Sequence, residues 1–312
     1  MIELVARRLL LAIPTTIVLT FLLFVSVSTL LGSPAEMMLG QDASPDAIKA
    51  LNDRYGFDRP ILTQYFDWLG KAVQGDFGRS FITQQSVAGA VLPAIPVTLE
   101  LALWSILLAA TAATVLNSLP VARRIVMPVV VTLNIAGLTV PNFMIGISLI
   151  FLFSVGLGWL PSSGWEPWSD GVINHLRHIA MPVLTLSAYY FGAFSIVFRA
   201  EQKDVARRLF VQVARAKGLS EWMVSFKHAL PNAILPVITF IGLSIGQLTG
   251  GAVVTETVFS MPGIGRLFVS SIAARDFPLM LAIGMLIMVG VVVMNLLADL
   301  VYTLINPQIR YG

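Results

Sequence analysis

Few residues of this chain have the types and spacing for chemistry, and each arrangement fails on a missing partner. Gly242-Leu243-Ser244-Ile245-Gly246 spells G-x-S-x-G, the turn that presents a nucleophilic serine. Such a serine needs a histidine base. The histidines are His175, His178 and His228, and all precede Ser244, against the order of that hydrolase class. No strand-like run leads into the motif either. His175 and His178 lie one helical turn apart. They lack a third ligand nearby, so an unremarkable place at a membrane interface is expected for both, and no metal site. There is no cysteine, which excludes disulfides, thiolate metal sites and cysteine nucleophiles. No G-x-x-x-x-G-K-[ST] occurs, so the chain has no glycine loop to cradle ATP phosphates. Glu100, Glu256 and Asp299 sit near the ends of apolar runs, where structural partners are expected rather than an ion path. No catalytic residue emerges.

The elements that hold these residues belong to a membrane. Of 312 residues, 56% are hydrophobic and 12% charged, and the mean hydropathy is +0.83. Soluble domains carry about 25% charge. The fold class is therefore all-α and polytopic. A net charge of +3 is a matter of topology rather than of nucleic-acid binding, because the cations flank apolar runs. A span takes about 20 mostly apolar residues. Six runs qualify: 9–31, 98–119, 126–156, 179–198, 232–256 and 279–304. Pro141 predicts a kink in the third. The first resembles a signal peptide, but its apolar run is too long and no cleavage site follows, so an uncleaved helix is expected.

Arg7-Arg8, Arg123-Arg124, the 199–230 loop and Arg310 all fall on one side of these spans. The positive-inside rule makes that side cytoplasmic, with both termini there. The chain thus divides into an N-terminal segment with the first helix (1–31), an outer segment (32–97) and a core (98–312). The outer segment holds seven Asp/Glu against five Lys/Arg. Ser44-Pro45 reads as the cap and first residue of a helix. Tyr55, Phe57, Tyr65, Phe66, Trp68, Phe77 and Phe81 give the segment enough aromatic surface to be ordered. Trp159, Trp165 and Trp168 read as an interfacial belt.

The loop 199–231 departs most from its surroundings, with seven Lys/Arg and three Asp/Glu between two spans. Helical spacing puts Leu209, Val213 and Ala216 on one face, and Arg208, Gln212 and Arg215 on another. Gly218 reads as a stop and Ser220 as the cap of a second helix. In that helix Trp222, Phe226 and Ala229 share a face, and Glu221, Ser225 and His228 another, before Pro231 opens the fifth span. A plain tether needs neither caps nor two faces. Gly242, Gly246 and Gly250 form a small-residue stripe in the fifth span, suited to close helix packing, a partner face or a gate.

This loop resembles the signature loop of ABC importer permeases, which runs E-A-A, three residues, G, nine residues, I-x-L-P. Ala214, Gly218, Leu230 and Pro231 match it, while Gln212, Val213 and His228 depart. The run Ala214-Arg215-Ala216-Lys217-Gly218-Leu219-Ser220-Glu221 is similar to the dipeptide/oligopeptide/nickel subfamily. So are RRLLLAIPTT, DRYGFDRPILTQYFDWLGKAVQGDFGRS, ETVFSMPGIGRL and NLLADLVYTLINPQIRYG, so the resemblance covers nearly the whole chain. It implies a multi-pass permease of a bacterial or archaeal cytoplasmic membrane that imports peptides or a related small polar solute. It implies a second homologous permease, two ATPase subunits that bind ATP and Mg, a solute-binding protein outside, and no cofactor in this chain. ATPase coupling then falls to Gln212, Ala214, Arg215, Ala216, Lys217, Gly218, Leu219, Ser220, Glu221, His228, Leu230 and Pro231. An ion-coupled transporter or channel is the competing class. It would need charges in mid-span, and none is evident in the sequence.

Overall fold

The computed structural model describes residues 2–30, 35, 39, 44–119 and 123–305. Arg310 lies outside them, as do the side chains of Arg7, Arg8, Arg123, Arg124 and Asp299. The chain forms two compact units. One comprises 2–98 and 262–293, the other chiefly 99–261 with 294–312. Among the described residues, four uninterrupted helices are long and apolar enough to cross a membrane, and the spans number six where each of two bent pairs crosses as one.

In the first unit, α1 (Ile2–Leu30) turns its threonine hydroxyls back on its own backbone. Thr15, Thr16 and Thr20 each donate to the carbonyl four residues back. The outer segment is ordered as its aromatic content predicts. Helix α2 (Pro45–Tyr55) starts where expected: Ser44 accepts from the Ala47 amide at 3.3 Å, and Gly56, at φ 74°, ends it. Helix α3 (Ile61–Val73) buries Tyr65 against α1. The Tyr65 hydroxyl donates to the Ile17 carbonyl at 2.9 Å and lies 2.8 Å from Thr20 Oγ1. A short α4 (Val87–Val91) follows. Helix α5 (Ala94–Ser118) begins in this unit and continues into the other. Buried Asp276 then joins distant segments. It accepts from the Phe81 amide at 3.1 Å and from the Ser80 hydroxyl, next to the start of the last span.

The second unit is best read along α5. Helix α8 (Val172–Ala206) runs parallel to it. Glu100 meets His175, Ser105 meets Val183, Asn117 meets Ser195, and Ser118 meets Gln202. The start of α8 therefore lies at the same end as the start of α5. Whatever joins them must cross back between. That connection is α6 (Arg123–Thr139) and α7 (Asn142–Leu149), which continues as a wide π-type turn over Ile150–Gly156. The two stretches are bent by 117°. The bend sits at Pro141, which disfavours helix in the residue before it and caps the next one. A bend this sharp suggests a loop that returns to its own side. The parallel pairing of α5 and α8 makes it a broken span instead.

The fourth span, expected at 179–198, is longer in both directions. At one end His175 is paired with Glu100, and at the other Gln202 with Ser118, so polar residues outside the apolar window still extend the helix. In the fifth, α10 (Glu221–Met223), a π-type turn (Val224–Ala229) and α11 (Leu230–Val258) follow in one helical run that bends by 42° beside Pro236. The expected boundary at Pro231 is absent. A proline ring collides with the carbonyl four residues back in an ordinary helix, and the wider preceding turn relieves that contact. Helix α11 runs antiparallel to α8: Phe240 meets Phe194 and Gly251 meets Leu186.

Candidate coupling site

At the Asn117 end of this unit the chain turns through α9 (Leu209–Ala216). The stop expected at Gly218 is there, at φ 74°. The Leu219 amide reaches the Ala214 carbonyl at 3.3 Å, and the Gly218 amide reaches Arg215 at 2.9 Å, the paired closure that a left-handed residue permits. A Cβ at Gly218 would touch nothing within 4 Å, so backbone conformation alone requires the glycine. Ser220 caps α10 by accepting from the Met223 amide at 3.3 Å. Trp222 and Phe226 stack with centroids 4.2 Å apart, on the shared face expected of them.

The buried face of α9 is not the one that the strongest apolar spacing suggests. Val211 and Ala214 are buried, whereas Leu209 is 74% exposed, Phe210 40% and Val213 42%. Ala216 is exposed as well. The helix is apolar on two sides, and periodicity cannot tell which of them meets the protein. Leu209, Phe210, Val213, Lys217, Leu219 and His228 instead line an open groove floored by Ala214.

Two polar side chains beside the groove are held by hydrogen bonds. Arg215 grips Glu221 with two hydrogen bonds, 3.0 and 3.2 Å, across the Gly218 turn. Gln212 donates to the Arg207 carbonyl at 3.0 Å. Leu230 is half-buried and Pro231 exposed at the start of the long span. The structure thus brings most of the sequence-derived residues into one site. It assigns Arg215, Glu221, Gly218 and Ser220 to shaping the site, and Leu209, Phe210 and Val213 to its open surface. Phe210 was not singled out by spacing, because it precedes the Val211–Ala214 pair by a single position.

The glycine stripe behaves differently. Gly250 is exposed with open space beside it, and Gly242 is half-buried. Close approaches within the unit lie elsewhere. A Cβ on Gly137 would stand 2.2 Å from the Ala188 carbonyl oxygen, and one on Gly192 2.8 Å from that of Asn134. Gly251, one residue beyond the stripe, meets Leu186 at 2.9 Å. These glycines have no four-residue repeat, so spacing gives no signal for them. Ser244 is buried and donates to the Phe240 carbonyl at 2.7 Å, which leaves its hydroxyl turned back on its own helix.

At the opposite end, Trp159 and Trp168 are exposed, and Trp165 and Trp168 also serve inside the protein. Both rings pack on His175, which is fully buried rather than interfacial. Glu100 has the structural partners expected of it: His175 Nε2 at 3.0 Å and Trp168 Nε1 at 2.7 Å.

Residues 102–311 match the family described as "Binding-protein-dependent transport system inner membrane component". Residues 1–102 match its N-terminal region, "Binding-prot-dependent transport system membrane comp, N-term". Over 319 aligned positions spanning both chains in full, this chain is 36% identical to the glutathione transport system permease protein GsiC of Escherichia coli strain K12. Identity and coverage are the same for the proteins of that name in Shigella flexneri serotype 5b and Shigella dysenteriae serotype 1. The chain belongs to the binding-protein-dependent transport system inner membrane components: it is a membrane-embedded permease subunit of an ABC importer, served by an ATPase and a solute-binding protein, with no ATPase activity of its own.

Proposed function

We propose that the groove on α9 is the socket for an ATPase subunit, and that two such subunits drive this chain and a second, homologous permease. The exposed apolar face of α9 carries the reading. Three large side chains stand open in a polar loop, beside an Arg215–Glu221 pair that closes on itself. A solvated tether gains nothing from exposing Leu209, whereas an apolar knob from a partner would bury it at about 25 cal/mol per Å². ATP and Mg are held by the ATPases, since this chain has no glycine loop for phosphates. The groove faces the cytoplasm, both termini lie on that side, and the outer segment 32–97 meets the solute-binding protein or narrows the entrance. Arginines beside the spans support that orientation. Gly242, Gly246 and Gly250 face the second permease or a gate, a reading supported by the open space beside Gly250.

The solute is glutathione or another short peptide, as the name of the relatives suggests. The spans supply a lined path through about 30 Å of hydrocarbon, where each unpaired polar group of a peptide would cost several kcal/mol. An ion-coupled mechanism gains no support from the buried charges described here, because Glu100 is committed to His175 and Trp168.

The test is reconstitution of the complex in proteoliposomes. Solute-stimulated ATP hydrolysis and uptake of labelled glutathione and dipeptides are measured for the natural chain and for Val213→Asp. Loss of ATPase co-purification in the variant, with normal membrane insertion, is expected. Normal coupling in Val213→Asp would remove the socket from α9. Uptake of none of the peptides by an actively hydrolysing complex would overturn the solute class alone.

A further inference from the structure

The first unit holds a cavity of about 550 Å³, between α3, the 76–84 loop, α1 and the start of the last helix (Phe277–Ile305). Its floor is aromatic. Phe24 and Trp68 lie with ring centroids 5.7 Å apart, and Phe81 stacks on Phe277 at 6.4 Å. Phe24 falls in the last two turns of the first apolar span, Leu10–Thr29, and Phe277 opens the last one, Phe277–Leu297. The cavity therefore sits where two spans leave the hydrocarbon, at the level of lipid headgroups.

The charged side chains that line it are Arg59, Lys71 and Arg79 against Asp67 and Asp76. Arg59 pairs with Asp67 at 3.3 Å. Asp76 Oδ1 accepts from the Gly78 amide at 2.9 Å. Arg79 donates to the Gln84 carbonyl at 3.4 Å. Among the described residues Arg79 meets no carboxylate, and the Lys71 ammonium makes no hydrogen bond or ion pair. A zwitterionic guest would need a free carboxylate for its own cation, and both carboxylates are engaged. The cavity thus fits an anion carried on an apolar body. Helix α3 places lipid beside it. Leu62, Phe66 and Val73 recur at helical spacing next to the face that packs on α1, and each is more than half exposed. Water penalises such a stripe, whereas a helix lying along the headgroup boundary buries it.

We propose that this cavity binds the headgroup of an anionic phospholipid. Lys71 and Arg79 hold its phosphate, the guanidinium by paired hydrogen bonds and the ammonium as a point charge. The aromatic floor meets its glycerol and upper acyl carbons. The stem of Lys71 runs along apolar surface while its charge stays at phosphate level. Under the orientation proposed above, the leaflet is the outer one. The site does not depend on the groove of α9 or on which solute the importer carries.

The experiment uses the full importer complex in phosphatidylcholine nanodiscs that carry a minor share of photoactivatable phosphatidylglycerol. Cross-linked peptides are mapped by mass spectrometry. Labelling is expected within 59–84 and 277–281. It should fall at least about fivefold in Lys71→Gln combined with Arg79→Gln, the scale of one cation acting on an anionic lipid. Labelling elsewhere on the chain should stay the same, which reports that the variant is folded. If the double variant does not assemble, Lys71→Gln alone carries the same expectation, since its ammonium has no partner to lose among the described residues. Equal labelling of the cavity by photoactivatable phosphatidylcholine overturns the proposal, as does undiminished labelling in the variants. Displacement of the label by excess glutathione would give the cavity to a soluble peptide, and displacement by inorganic phosphate would give it to a free anion. Either result also overturns the proposal.

Discussion

The two ends of the second unit handle their polar groups in opposite ways. At the Asn117 end, charged side chains pair across a turn in water and large apolar ones stand open. At the Glu100 end, a carboxylate and two indoles gather on a fully buried imidazole. An end built to receive another protein keeps its apolar surface available. An end built to close on itself spends its polar groups internally. The difference supports the proposed socket at the Asn117 end, and it predicts different failures for substitutions at the two ends.

The largest effect is expected from His175→Ala. It leaves the Glu100 carboxylate largely buried with one indole for company, a loss of about 3–5 kcal/mol by analogy with broken buried pairs. Thermal unfolding of the detergent-solubilised chain should drop by several degrees. An unchanged melting curve would erase the contrast between the ends. Next comes the groove. Leu209→Asp with Val213→Asp should weaken ATPase association by about 2–4 kcal/mol, the range of central interface residues. The melting curve of the isolated chain should stay in place, because both side chains already face solvent. A shift in melting with intact association would mean that the face packs internally.

Gly218 sharpens the comparison further. Since no atom waits for its Cβ, Gly218→Val should cost only backbone strain, about 1–2 kcal/mol, and Gly218→Asn much less. ATPase affinity measured for both should fall in that order. Equal and complete loss would point to a contact at the glycine itself. The smallest effect belongs to Glu221→Gln, which breaks an exposed ion pair worth under about 1 kcal/mol. Its association should stay within a few-fold of the natural chain at physiological salt, and a collapse would promote that pair to the interface.

Local signals in the sequence carried far. Ser44-Pro45 and Gly56 set the bounds of α2, and Gly218 with Ser220 set the turn, because caps and left-handed residues act within a few positions. Signals that depend on a distant partner did not carry. Neither face of α9 announces which one is covered. Gly137 and Gly192 look like any glycine until α6 and α8 are brought together. His175 reads as an isolated histidine because its carboxylate lies 75 positions earlier. The unbroken passage from Glu221 into α11 was hidden for another reason, since proline is a breaker only when the turn before it is of ordinary width.

That separation between Glu100 and His175 is also an interval of time. A ribosome adds about 5–20 residues per second, so roughly 4–15 seconds pass after Glu100 is made before His175 exists. Asn117 waits comparably for Ser195, 78 positions on. During biosynthesis α5 must therefore be sheltered with unmatched polar groups while the broken span forms beside it. The arrival of α8 then supplies partners to both ends of a helix synthesised long before.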